Sequence, residues 1–298
     1  MRPFLYAATM PRMPGERVRI YALSDLHVDY DENFSWLENL SQSAFQKDVL
    51  IVAGDVSEDL DRLERTFLLL KNRFAKVCFT PGNHDLWVRK KQSLNSFEKL
   101  EKLLKLCESL GVHTKPVKIE SEQSAVWIVP LFSWYVTAEG GEQSLYVPRE
   151  GRDLTMAVWS DQKLVHWPDE KGLISDYLFE LNEPFLEQLY DAPVISFSHF
   201  LPRPDLIFPT PEEIKKLKLK RPPKLLINFS RVAGSHQLEE QIRQLGSAVH
   251  IYGHQHRNRD RMLDGINYVS YCLGYPQERE RGYVRLESGQ PKLIREFP

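Results

Sequence analysis

Short apolar runs of this sequence end repeatedly in side chains that can bind metal ions. They are two carboxylates, one amide and four imidazoles: Asp25, His27, Asp55, Asn83, His199, His254 and His256. Asp25 and His27 are two residues apart, and so are His254 and His256. An extended backbone therefore directs both members of each pair to the same side. This mixture of oxygen and imidazole ligands suits Mn, Fe or Zn, and the ligand types alone do not choose among them.

The number of candidate ligands favours two metal ions over one. A single tetrahedral zinc ion takes four ligands, fewer than this set offers. We expect the carboxylate of Asp55 to bridge two ions, because it has two oxygens. One ion would then take Asp25, His27, Asp55 and His256, and the other Asp55, Asn83, His199 and His254. A hydroxide that bridges two such ions can attack a phosphorus atom while the ions bind the phosphoryl oxygens.

These side chains need an architecture that brings separate strand ends together. Short apolar runs bounded by Gly, Pro or Asp predict buried strands at residues 17–24, 47–53, 76–80, 125–130, 193–198 and 248–252. Helices are predicted at residues 59–74, 93–110, 178–190 and 235–245. The alternation of strand and helix favours parallel strands with right-handed crossovers. Ligands of open α/β sheets bind beyond the carboxyl ends of the strands, so five strand ends would meet at one crevice.

The remaining segments complete a single predicted domain over residues 1–298. Residues 131–176 have mixed charge and no clear periodicity, which is typical of an insertion or lid. Residues 202–223 contain six prolines and predict a basic loop with a short helix at 212–219. Residues 265–297 alternate like a hairpin with its turn near residues 288–289.

Composition excludes several classes of protein. The net charge is −2, from 39 basic and 41 acidic residues, so no overall basic field favours nucleic acid as the partner. The three cysteines form no C-x-x-C pair that would indicate redox chemistry or a thiolate zinc site. No apolar run reaches the roughly 18 residues of a membrane span. We expect a soluble intracellular protein, in the cytoplasm by default. A short targeting extension stays open, because residues 1–15 have two arginines and no acid.

Five sequence blocks together resemble the calcineurin-like metallophosphoesterase superfamily. In order they are Asp25-x-His27, Gly54-Asp55-x-x-Glu58, Gly82-Asn83-His84-Asp85, His199 and Gly253-His254-x-His256. The resemblance implies a four-layer α/β/β/α sandwich and a dinuclear centre of divalent or trivalent Mn, Fe or Zn. It gives the metal-binding role to the side chains assigned above. It also implies that His84 contacts the substrate and assists the leaving group, and that Asp85 orients His84.

The expected activity is hydrolysis of a phosphate ester by a dinuclear metal-dependent phosphoesterase. A small phosphomonoester or nucleotide is the favoured substrate, and a phosphodiesterase or nuclease is the alternative. A catalytically silent binding scaffold of the same fold is the alternative from another class. Its marks would be broken metal ligands or a replaced His84, and the sequence has neither.

Substrate contacts are predicted from three further side chains. Trp134 and Tyr135 follow a predicted strand and would stack on a ring of the substrate. Arg203, four residues after His199, would reach a phosphate. The sequence leaves open the physiological substrate, the native metal pair and the oligomeric state.

Overall fold

The computed structural model describes residues 17–89, 94–149, 156, 159–217 and 228–297, and their strands form two sheets. The first sheet contains β1 (Val18–Leu23), β2 (Val49–Ala53), β3 (Lys76–Thr80) and β10 (Lys292–Phe297), in the order β10–β1–β2–β3. The second sheet has the order β4–β5–β6–β7–β9–β8. Its strands are β4 (Val117–Glu120), β5 (Ala125–Pro130), β6 (Val194–Phe197), β7 (Ser247–Tyr252), β8 (Arg259–Leu263) and β9 (Ile266–Ser270).

The helices of the described residues are mostly short. They are α1 (Asp31–Glu38), α2 (Leu60–Lys71), α3 (Ser96–Leu110), α4 (Asp161–Leu164), α5 (Ile174–Glu180), α6 (Glu183–Leu186), α7 (Pro211–Leu217), α8 (His236–Gln244) and α9 (Pro276–Glu280). Local sequence starts several of them. The Asn95 side chain and Glu98 form a capping box on α3, and the Ser235 side chain caps α8. Among the described residues, no helix combines the length and apolar character that a membrane crossing requires.

Successive side chains of the central strands point to opposite faces of the sheet, so each sheet packs against a different layer on each face. On β2, Ile51 and Ala53 pack into a core shared by both sheets, whereas Leu50 and Val52 pack into a core with α1, α2 and α3. A third core covers the outer face of the second sheet and includes Leu238 of α8. Because both faces of the strands are buried, their sequences are continuously apolar. The predicted α/β/β/α sandwich is confirmed.

Strand direction brings the predicted site residues to one edge. β1, β2 and β3 run parallel, and so do β5, β6, β7 and β9. The segments that follow β1 and β2 stay paired, with the Asp25 N–H donating to Gly54 O at 3.0 Å and the His27 N–H to Asp55 O at 3.0 Å. An isolated bridge between Ser24 and Cys272 then joins the end of β1 to the segment after β9. The carboxyl ends of the parallel strands of both sheets therefore meet at one edge.

Two predictions about the elements are wrong. The hairpin at the end of the chain is β8 and β9, which turn at residues 264–265, and β10 instead crosses to the first sheet and pairs antiparallel with β1. An alternating pattern fits an edge strand of either sheet equally well, so it did not identify the partner. The helix predicted at 178–190 is divided into α5 and α6 at Asn182. The Asn182 side chain accepts from the Phe132 N–H and donates to the Phe132 carbonyl, each at 2.8 Å.

The two segments without periodicity pack against the rest of the chain. In the segment 131–176, the described side chains of Phe132 and Trp134 are buried in a fourth core together with Phe200. Residues 202–217 lie against β8, where buried Arg259 and Arg261 donate to backbone carbonyls of that segment. Residues 1–16 and 218–227 lie outside the described residues, and with them the suggested targeting extension and the last part of the predicted basic loop. The single domain over residues 1–298 stays a prediction.

Candidate metal centre

The seven side chains predicted to bind metal lie together at the joined strand ends. Asp25, His27 and His256 form one group whose potential ligand atoms all lie within 4.8 Å of one another. Asp55, His199 and His254 form a second such group. The amide of Asn83 joins the second group, since its Oδ1 lies 3.2 Å from His199 Nε2.

Asp55 lies between the two groups. Its Oδ2 is 3.3 Å from His199 Nε2 and 3.9 Å from His27 Nε2. In the first group, His256 Nε2 is 3.4 Å from Asp25 Oδ1 and 2.9 Å from His27 Nε2. The imidazoles thus point inward at carboxylates and at each other, an arrangement that suits the ligands of metal ions.

An unusual backbone conformation directs these side chains. The left-handed region holds Asp25 (φ 51°), His27 (φ 41°), Asp55 (φ 54°), His254 (φ 71°) and His256 (φ 52°). Non-glycine residues rarely adopt this region, and each instance costs on the order of 1–3 kcal/mol unless the surroundings enforce it. Five such residues in one cluster indicate that the fold accepts backbone strain to aim their side chains inward.

Gly82 allows the loops to approach closely. A Cβ atom at this position would lie 2.7 Å from the backbone nitrogen of Asp55 and 2.8 Å from the ring of His199. Gly54 has φ 81° and would carry its Cβ 2.5 Å from His199 Nδ1. Only glycine leaves room for His199 beside Asp55.

The charges of the cluster are mutually dependent. Although burial opposes ionisation, the imidazoles of His256 and His199 hold the pKa of Asp25 at about 2. Burial likewise disfavours charged imidazoles, but Asp55 raises the pKa of His199 to about 9, and Asp25 raises that of His256 to about 10. Without metal, two imidazolium groups therefore balance two buried carboxylates. Divalent cations can take over this role, since metal binding to such ligands displaces protons. The buried donor set therefore fits divalent metal ions.

In several imidazoles, the ring nitrogen that points away from the centre is hydrogen-bonded to a carbonyl or carboxylate oxygen. His199 Nδ1 lies 2.9 Å from the Ala53 carbonyl, and His256 Nδ1 lies 2.5 Å from Oε2 of Glu278. These contacts fix the tautomer and leave Nε2 for the centre. His254 is held in the opposite sense, with Nε2 2.8 Å from the Val232 carbonyl, which leaves Nδ1.

His84 lies at the rim of the cluster. Its ring stacks on Trp87 with 3.5 Å between ring centroids, and its Nε2 is 3.9 Å from Asp55 Oδ2 and 3.4 Å from the Tyr275 hydroxyl. Burial lowers the pKa of His84 to about 4, so at neutral pH the imidazole is uncharged. It can donate a hydrogen bond to a leaving oxygen through its N–H.

Asp85 does not orient His84 as the resemblance implied. Its carboxylate instead accepts the backbone N–H groups of Asp55, Val56, Ser57 and Gly82, at 2.8 to 3.0 Å. Burial and the Asp55 carboxylate raise the pKa of Asp85 to about 7, whereas the N–H donors favour its ionised form. Asp85 therefore fastens the loops after β2 and β3 together.

The structure does not place the three predicted substrate residues at the cluster's opening. Trp134 and Tyr135 are 4% and 6% exposed and pack against Phe200, so they offer little ring surface to a substrate. Arg203 is held by Asp205 and Asp264 on the surface near the turn between β8 and β9. An aromatic pair after a strand indicates packing as readily as stacking, and here packing prevails.

Four residues near the cluster were missed by sequence reasoning: Trp87, Asp161, Tyr275 and Glu278. Trp87 is close to the motif block that contains His84, and an aromatic residue there was a usable signal. The other three come from distant segments whose local sequence carries no sign of the contact.

Comparison with known proteins identifies related chains. The family model for calcineurin-like phosphoesterases matches residues 18–258. The acyl-carrier-protein phosphodiesterase PptH of Mycobacterium tuberculosis is 29% identical over 291 residues, which cover 90% of this chain and 81% of that protein. The crystal structure titled phosphopantetheinyl hydrolase PptH, from the same organism, superimposes with a TM-score of 0.71 at 25% identity. That superposition covers 94% of this chain and 96% of the other.

Proposed function

Because this chain belongs to the calcineurin-like phosphoesterase family, we propose that its clustered side chains bind two divalent metal ions and hydrolyse a phosphodiester. The chain is a metal-dependent phosphoric ester hydrolase. The number of ions, the ligand assignment and the diester substrate are the proposal.

The position of Asp55 carries the proposal. Its carboxylate faces His199 of one potential ligand group and His27 of the other, as a bridging ligand must. Asp25, His27, Asp55 and His256 would hold one ion. Asp55, Asn83, His199 and His254 would hold the other. Activity after reloading with Mn, Fe or Zn in turn will show which of these metals supports hydrolysis.

Residues of the chain assist the leaving group and hold the loops of the site in place. When bound, the ions would supply positive charge to the phosphoryl oxygens and lower the pKa of a water molecule. His84, at the rim, donates its N–H to the leaving oxygen, and Trp87 and Tyr275 fix its ring. Asp85 acts only through the loops that carry Asp55 and Gly82.

A protein-linked phosphodiester is the substrate class we propose. PptH is named as a phosphodiesterase of acyl carrier protein, and the likeness to it extends over nearly the whole chain. Phosphopantetheine joined to a serine side chain is a phosphodiester. Water would cleave its bond from phosphorus to the serine oxygen, which releases phosphopantetheine and restores the serine hydroxyl. The small phosphomonoester favoured by sequence reasoning stays a prediction that the same assay tests.

The test compares substrates with the metal-loaded protein. Protein stripped with EDTA is reloaded with Mn, Fe, Zn or Mg and assayed on bis(p-nitrophenyl) phosphate, p-nitrophenyl phosphate, a mononucleotide, a single-stranded oligonucleotide and holo acyl carrier protein. Mass spectrometry follows the loss of phosphopantetheine from the carrier protein. We expect metal-dependent cleavage of the diester and of the carrier protein. Faster cleavage of the monoesters or of the oligonucleotide would contradict the proposed substrate.

Asp55→Asn tests the metal site independently of the substrate. The variant should lose most turnover on every ester that the wild type cleaves, and it should bind less Mn. Asp169→Asn, at an exposed position, is the matched control and should behave as the wild type. Near-normal metal-dependent turnover by pure Asp55→Asn protein would refute the bridging role. Wild-type protein with neither bound transition metal nor activity would favour the silent scaffold.

A further inference from the structure

Asp161, in the segment 131–176, makes an unusual set of contacts behind the candidate metal centre. Its side chain is 3% exposed. Oδ1 accepts from Asn83 Nδ2 at 2.9 Å and from the Trp87 indole N–H at 2.6 Å. Oδ2 accepts from the Trp159 indole N–H at 2.7 Å. A buried carboxylate with three N–H donors is well satisfied, so its position is closely defined.

The contact with Asn83 determines which end of the amide faces the centre. With Nδ2 bound to Asp161, Oδ1 of Asn83 points to the other side, 3.2 Å from His199 Nε2. A reversed amide would present N–H groups to a cation and could not bind it. An amide alone has no strong preference between the two orientations, whereas an anionic acceptor behind it does.

Through Trp87, Asp161 is also connected to His84. The Trp87 indole donates to Asp161 and its ring stacks on His84 with a 29° angle between the planes. One carboxylate therefore holds a residue of the predicted metal-binding set and the ring that supports His84.

The segment that carries Asp161 is itself fastened to the loop after β3. The Val88 N–H donates to the Leu164 carbonyl at 2.7 Å, and the Ser96 N–H donates to the His166 carbonyl at 2.9 Å. The His166 N–H in turn donates to Ser96 Oγ at 2.9 Å. These bonds begin at the residue directly after Trp87 and tie the stretch that follows Asp161 to the stretch that follows Trp87, so Asp161 is fixed relative to Asn83 and Trp87.

We infer that Asp161 is a positioning residue, which holds the Asn83 amide with its oxygen toward the metal ions and the Trp87 ring against His84. The inference rests on the proposed function, because it assumes that Asn83 is a metal ligand. Through Asp161, the segment 131–176 would therefore orient side chains of the metal centre.

Binding of Mn by itself tests this role without any substrate. Isothermal titration of metal-free protein with Mn gives the number of ions and their dissociation constants. Asp161→Asn should bind one ion about 10- to 100-fold more weakly than the wild type, as loss of a ligand's hydrogen-bonding partner typically does. Asp169→Asn, an exposed carboxylate of the same segment, should bind as the wild type.

A double-mutant cycle shows whether Asp161 acts through Asn83. If it does, Asp161→Asn added to Asn83→Ala should weaken Mn binding no further than Asn83→Ala alone. Trp87→Phe, which removes the indole donor but keeps an aromatic ring, should leave Mn binding unchanged and lower kcat.

Each result has a defined meaning. Unchanged Mn binding by folded Asp161→Asn, additive losses in the double variant, or an unchanged kcat of Trp87→Phe overturns the inference and leaves the proposed function intact. Wild-type protein that binds no Mn overturns both. If circular dichroism shows Asp161→Asn to be unfolded, Asp161→Glu, which keeps the charge but displaces the carboxylate by one methylene, takes its place in the titration. Wild-type Mn binding by folded Asp161→Glu then overturns the inference.

Discussion

The carboxylate of Asp85 accepts a hydrogen bond from the backbone N–H of Asp55 at 2.8 Å. Asp55 has a left-handed backbone with φ 54°, so this bond helps to hold a strained residue. The same oxygen of Asp85 also accepts from the Gly82 N–H at 2.8 Å. The residue that joins the two potential ligand groups is therefore held by a carboxylate three residues beyond Gly82.

Replacing Asp85 with Asn should destabilise the metal-free protein. An amide can accept with only one of its two ends, so at least one pair of the N–H donors would face an NH₂ group. Each unsatisfied buried donor costs about 1–3 kcal/mol, and we expect a loss of about 3 kcal/mol in the free energy of unfolding. Urea denaturation in EDTA measures it. Asp61→Asn, an exposed position on α2, should change stability by about 0.5 kcal/mol or less. Equal stability of the two variants would contradict the fastening role.

Glu278→Gln should weaken metal binding through His256. The Glu278 carboxylate holds His256 Nδ1 at 2.5 Å and accepts the Tyr275 N–H at 2.9 Å. An amide at this position is a weaker acceptor, so His256 loses basicity and orientation. We expect about a tenfold rise in the Kd for Mn, measured by isothermal titration. Glu280→Gln, an exposed position on the same helix, is the control. Identical Kd values for the two variants would show that Glu278 only caps α9.

The sequence predicts the metal-binding residues at the strand ends better than the residues that support them. Asp25, Asp55 and His199 follow apolar strands directly, so a local pattern was enough to predict that they meet. Glu278 and Asp161 reach the site from segments far along the chain, and only the packing of the sheets brings them there. Trp134 was misjudged for a related reason, because burial depends on Phe200, which is distant in sequence. Local patterns identify the strand ends, whereas the contacts that support them are long-range.

Tyr275→Phe should lower turnover while metal binding stays the same. The Tyr275 ring packs on His27 and His256, at 4.5 and 4.7 Å between ring centroids, and phenylalanine preserves that packing. Burial raises the pKa of the Tyr275 hydroxyl, so it stays protonated, and its oxygen lies 3.4 Å from His84 Nε2. Loss of one hydrogen bond should reduce kcat up to about tenfold.

Steady-state kinetics on bis(p-nitrophenyl) phosphate, with Mn binding measured alongside, tests the Tyr275 prediction. Tyr30→Phe is the control, because Tyr30 packs beside Tyr275 but is 38% exposed at the surface. A kcat for Tyr275→Phe equal to that of Tyr30→Phe would exclude a role for the hydroxyl.

His250 should make the stability of the protein depend on pH. The ring is buried in β7, with Nδ1 2.8 Å from Ser196 Oγ and Nε2 3.0 Å from Ser198 Oγ. The Ser198 hydroxyl donates to the Phe200 carbonyl at 2.9 Å, so its oxygen accepts from Nε2–H. Nδ1 then accepts from the Ser196 hydroxyl, and both nitrogens are satisfied in the neutral ring.

Burial lowers the pKa of His250 to about 3, against 6.5 for the ordinary side chain. Between these values the unfolded chain binds a proton that the folded chain does not, so the free energy of unfolding falls as the pH falls from about 6.5 toward 3. The contribution of one proton approaches about 1.4 kcal/mol per pH unit. His250→Gln cannot take up this proton. Urea denaturation of the metal-free wild type and variant across this range should therefore give a shallower pH dependence for the variant. Parallel curves would mean that the folded protein accommodates a charged His250, because the other titrating groups are common to both proteins and cancel in the comparison.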